Sequence, residues 1–309
     1  MTRLATLTRP ATGTDHLSPT RHRPVGFALA AIGLVATVIT LIANVAAAGQ
    51  VGDGNAAGAA QTLAWSFGLT TTGFGTIKLG IGVILVGILV RLWQRVESVK
   101  TALPDLKAPG TASTANGPIT TPFGPAVAGR DVPAPLRIHA MARLLWAPML
   151  TMGYMAVLVG LVVSIVWTSD PADVAASAWT QGLQFLGEGF LLAGISFLLG
   201  TILASLREGG GEVQAALGLT VKTLRMPNTA KAFIGLMALG VMVAINQFVL
   251  YLVVAAGVDN PAAWFAWLSP LRELGLGLIL AGIVMALVTI GNVLGFQFHR
   301  IREIVITGN

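Results

Sequence analysis

Six long apolar runs divide this chain, and polar or glycine-rich connections separate them. They lie at about Pro24–Ala48, Trp65–Trp93, Leu145–Trp167, Ala178–Arg207, Ala232–Ala256 and Pro270–Phe298. A helix needs about 20 predominantly apolar residues to cross a bilayer, and each run supplies them. None alternates with period two over the length of a barrel strand. The pattern predicts an all-α integral membrane protein of six transmembrane helices. The first run is longer than the apolar core of a secretory signal, so it is read as a retained helix.

Four segments follow from this frame. Residues 1–23 form a basic leader. Residues 24–93 hold helices one and two. Residues 94–144 form a long connection, and residues 145–309 hold helices three to six with a short tail. The long connection is rich in Pro, Gly, Ser, Thr and Ala around KAPGTASTANGPITTPFGPAVAG. Such a composition buries little, so a linker is expected there. Gly209–Gly211 is expected to end the fourth helix.

Charge sets the expected orientation. Seventeen of the nineteen Lys and Arg lie in the leader, the connections at 91–144 and 207–231, and the tail. The three other connections carry Asp53, Asp170, Asp173 and Asp259 and no basic residue. The positive-inside rule then puts both termini in the cytoplasm. All seven Trp lie near the ends of runs, where an amphipathic ring favours the headgroups. The net charge of +6 is therefore a topology signal rather than a nucleic-acid surface. In a bacterial cell this means the cytoplasmic (inner) membrane. Only 10% of residues are charged, far below the roughly 25% of a soluble domain.

The fourth and sixth runs share the frame AW…L..LG.G..LAGI. Gly187, Gly189 and Gly194 match Gly275, Gly277 and Gly282. Gly80, Gly82 and Gly87 repeat the spacing in the second run. The match argues for a duplicated two-helix hairpin across helices three to six; extension to the second run rests on glycine spacing alone. Composition is the competing explanation, because Gly, Ala and Leu are so common here. Glycines at this spacing return to nearly one face, where helices can approach closely. The even-numbered helices are therefore expected to form a packed centre.

Two charges lie deep in the runs, Lys78 and Glu188. Counting helical rise from Trp65 and Trp179 puts them within about 6 Å in depth. A lone charge in the membrane is costly, so a pair is expected, with Asn246 and Gln247 within reach. The competing readings are a polar site for a solute and an ion pair that fixes helix register. Arg272 and Glu273, just after Pro270, are expected as a solvated pair at the outer mouth.

Candidate chemistry is otherwise sparse. There is no cysteine, so no thiolate site or disulfide. The chain has no P-loop, HExxH, GxSxG or CxxC motif. His16, His22, His139 and His299 form no i, i+4 pair and lie outside the middle of any run. No catalytic set, metal or cofactor is expected. The expected surroundings are the lipid bilayer and other membrane subunits or further copies of the chain, without nucleic acid. The reading is a structural or accessory subunit of a membrane complex. The alternative is a small-solute or ion transporter or channel.

Overall fold

The computed structural model describes residues 22–102, 117–132 and 136–307. The leader to residue 21, His16 and the heart of the long connection lie outside those residues. Six helices are long and apolar enough to cross a membrane. They are α1 (His22–Gly52), α2 (Ala56–Ala102), α3 (Arg137–Trp167), α4 (Val174–Ala216), α5 (Asn228–Ala256) and α6 (Pro261–Thr307).

The lengths alternate. The odd helices have 31, 31 and 29 residues, the even ones 47, 43 and 47. At 1.5 Å per residue a 43-residue helix is about 64 Å long, twice the ~30 Å hydrocarbon layer. The helices are paired through short turns at 53–55, 168–173 and 257–260, all at the acidic end. Each turn closes with the same device at the start of the long helix. Asn55 accepts from Gly58 N at 3.0 Å, Asp173 from Ala175 N at 2.8 Å, and Asn260 from Ala263 N at 3.2 Å. Side-chain caps of this kind satisfy amide donors that the first turn leaves open.

Glycine sets the contact within each hairpin. A Cβ on Gly80 would meet Gly26 O at 2.7 Å, and one on Gly187 would meet Gly153 O at 2.6 Å. A Cβ on Gly240 would meet Gly275 O at 2.9 Å. So the first glycine of each sequence triplet faces a glycine of the preceding short helix. Backbones touch there, which maximises dispersion contact where burial from water supplies no drive.

The hairpins form an open row. α4 lies in the middle and packs on α2, α3, α5 and α6. Its most apolar window is 78% buried, against 17–39% for the other five helices. The packed centre is thus one helix, α4, rather than the three even helices together. α1 packs extensively only on α2. Its outer face, with Leu41, Ile42 and Val45, is exposed.

Two expectations need correction. The fold is not purely helical. Residues read as linker form a hairpin, β1 (Gly117–Thr121) and β2 (Gly124–Gly129), and β3 (Val221–Leu224) from the other basic connection adds antiparallel to β2. Alternation is what composition concealed: Ala126 and Ala128 are buried and Val127 is exposed. Ala126 and Leu224 pack on Val293 and Phe296 of α6. Gly124, with φ of 125°, supplies the turn that an L side chain resists. Second, Gly209–Gly211 does not end α4, which continues to Ala216. Those glycines admit neighbours instead. A Cβ on Gly211 would contact Val221 and Val132 at 3.3–3.4 Å, and one on Gly210 would overlap Gln297.

Candidate functional site: a carboxylate between two cations

Glu188 lies on the most enclosed helix, with a side chain only 3% exposed. Its Oε1 is 3.0 Å from Lys78 Nζ on α2. Its Oε2 accepts from Arg272 Nη2 on α6 at 3.2 Å. One carboxylate thus ties the three long helices together. The cations are partly open, at 19% for Lys78 and 21% for Arg272. Glu273 lies 3.8 Å from Arg272 Nε, so the linked charges, two cations and two carboxylates, are formally balanced.

Arg272 is further fixed by stacking. Its Cζ lies 3.7 Å from the centre of the Phe185 ring, one helical turn from Glu188 on α4. Phe185 is itself held by Tyr251 and Phe67, at centroid distances of 5.6 and 6.2 Å. A guanidinium over an aromatic face gains the ring's quadrupole, more so when water is scarce. A planar guanidinium can lie against the ring while its edge donates to a carboxylate.

Polar residues lead from the turn end towards Glu188. Thr180, Gln184 and Glu188 are spaced four apart on α4 and all are buried. Gln184 Nε2 donates to Gly68 O at 3.3 Å. Thr72 Oγ1 donates to the same carbonyl at 2.9 Å, and Thr76 Oγ1 lies 3.3 Å from Tyr154 Oη. Beyond Glu188 the character changes. Leu191, Leu192, Ile195, Leu198, Leu199 and Ile202 form the main buried apolar cluster. Ser196 and Thr201 are buried among them, with their hydroxyls donating to Leu192 O and Phe197 O.

The expected site residues are distributed as follows. Lys78 and Glu188 meet. Gln247 is buried, but its amide donates to Leu268 O at 2.9 Å rather than to either charge. Asn246 is exposed on the outer side of α5 and takes no part. Arg272 does pair with Glu273, at 3.8 Å and with Glu273 72% exposed, but Arg272 itself is only 21% exposed and also joins the buried Glu188. The error came from starting helix six at Pro270. The helix starts at Pro261, so Arg272 lies eleven residues, about 16 Å, along it. The signal was available in Asn260–Pro261, a cap followed by the residue best tolerated at the first helical position.

The remaining glycines also divide. A Cβ on Gly82 would meet Leu150 at 3.1 Å, on Gly87 His22 at 3.0 Å, and on Gly189 Ala244 at 2.7 Å. On Gly194 it would reach Leu150 N at 2.9 Å, and on Gly282 it would make ordinary contact with Phe233 O and Met237 N at 3.4 Å. Gly277 is different: nothing lies within 4 Å among the described residues.

Among the described residues no three His, Cys, Asp or Glu side chains converge as a metal site would require. The His299 ring lies 6.2 Å from Phe123, and His139 lines a separate cleft. No protein-family model, curated protein or solved structure matches the chain.

Proposed function

We propose that this polytopic membrane protein is a non-catalytic structural or accessory subunit of a membrane complex. The observation that carries this is Glu188, engaged by Lys78 and Arg272 from both flanking helices above a close-packed apolar core. Both carboxylate oxygens are taken, and the buried hydroxyls past them, Ser196 and Thr201, donate to carbonyls of their own helix, Leu192 O and Phe197 O. Such an arrangement fixes the register of three helices, which is the best-attested use of buried charge. The open row of hairpins supports the same reading, because α1 presents most of its surface to lipid or to a neighbouring subunit. The alternating lengths, repeated caps and repeated glycine contacts support descent from one duplicated hairpin.

A transporter is the second reading. The polar seam to Glu188 favours it, and the mainly apolar core beneath opposes it.

Gentle purification from the native host distinguishes the two. The subunit reading expects a membrane protein companion in fixed ratio whose level falls when this chain is deleted. A lone protein whose melting temperature rises with one small solute would replace that reading with transport.

We also propose that both termini are cytoplasmic, as the charge distribution requires. Single cysteines at the exposed positions Ala57, Ala172 and Ala262 should react with an impermeant reagent on intact cells. Cysteines at the exposed Arg130 and Asn228 should react only after lysis. Labelling of Arg130→Cys in intact cells would reverse the orientation.

A further inference from the structure

At the basic end a second site stands apart from the charged cluster. A half-open cleft, about 850 Å³ counting the open solvent at its mouth, lies between α3, α4 and the start of α5, with α6 behind it. Its walls are apolar, including Phe197, Phe233 and Met237. Among the described residues its ionisable lining is entirely basic: His139, Arg207, Arg225 and Arg300. Glu208, beside Arg207, is turned towards Arg143 and paired with it at 2.5 Å.

The dimensions match one leaflet. Along α4 the cleft runs from Ser196 to Arg207. Eleven residues are about 16 Å, half of a ~30 Å hydrocarbon layer. The arginines therefore lie at headgroup level and the aromatic walls at acyl-chain depth.

We propose that this cleft binds an amphiphile with an anionic head and an acyl chain. Arg207 and Arg225 take the phosphate or carboxylate, and the cleft takes the chain. Guanidinium forks match such oxyanions in geometry as well as charge. A free inorganic anion would leave the apolar walls unused, and a zwitterionic lipid would oppose its own cation to the arginines. The head is supplied either by a membrane phospholipid or by a free fatty acid.

The test is thermal unfolding of the purified full chain in a non-ionic detergent. The added probes are palmitoyl-oleoyl phosphatidylglycerol, phosphatidylcholine of the same chains, and oleate. The proposal expects phosphatidylglycerol, oleate or both to raise the melting temperature, and phosphatidylcholine to leave it nearly unchanged. Phosphatidylglycerol alone identifies the occupant as a phospholipid, and oleate alone identifies a free fatty acid. Arg225 is exposed, so Arg225→Gln should fold normally and weaken the active probe about tenfold, as loss of one charge-assisted hydrogen bond does. Ala230→Trp, at a buried lining position, should abolish the effect of either probe. Should that variant not fold, Arg207→Gln/Arg225→Gln decides instead. Equal stabilisation by phosphatidylcholine, or an unchanged response in the double arginine variant, overturns the proposal.

Discussion

Glu188→Gln is expected to cost the fold about 3–5 kcal/mol, and Lys78→Met about 1 kcal/mol or less. The asymmetry follows from the bridge. Replacing the carboxylate strands two cations inside the bundle, and neither has another carboxylate as close. Replacing Lys78 leaves Glu188 hydrogen-bonded to Arg272 at 3.2 Å, a neutral pair. A two-residue ion pair would behave otherwise, because either single change would strand one charge. Reversible unfolding in mixed micelles measures both variants. Equal losses would mean that Arg272 contributes little and that Lys78 is the principal partner.

The second large effect is steric. Gly187→Ala places a methyl 2.6 Å from Gly153 O and 2.9 Å from Val157 N, with Val157 Cγ2 equally close. Two of these are backbone atoms, which cannot rotate aside, so α3 and α4 must separate. Overpacking of this kind costs about 1–3 kcal/mol. Gly277→Ala lies two residues further along the sequence frame, at the place that matches Gly189, and has nothing within 4 Å among the described residues. Its only effect is the gain in helix propensity, up to about 1 kcal/mol of stabilisation. Two identical substitutions in the same frame should therefore shift the melting temperature in opposite directions. A common direction would contradict the glycine contacts.

The six helices were legible because an apolar run of bilayer length has few other uses. The hairpin build was legible as well, although in residues that attract little notice. Asn55, Asp173 and Asn260 each open a long helix, and reading them as caps places the starts of the three long helices within a residue. Hydropathy alone did not, and starting helix six at Pro270 put Arg272 at the surface. Partner choice was less accessible. The spacing of Gly187, Gly189 and Gly194 announces a close-packing face but not which helix it meets. Gly187 meets α3, Gly189 meets α5, and Gly277, the counterpart of Gly189, meets nothing among the described residues. The small sheet was hidden for a different reason. Pro118, Pro122, Pro125 and the glycines around them argue against strands, and only pairing with the distant Val221–Leu224 makes the hairpin worth forming.

The clamp is tested most directly by a double-mutant cycle between Lys78→Met and Arg272→Met. The two cations are joined only through Glu188. Either change alone leaves the carboxylate one partner, whereas both together leave it none. Unfolding free energies should then show the double variant less stable than the sum of the single losses, by about 2 kcal/mol or more. In a Glu188→Gln background that excess should vanish. Additive losses with Glu188 present would contradict the clamp.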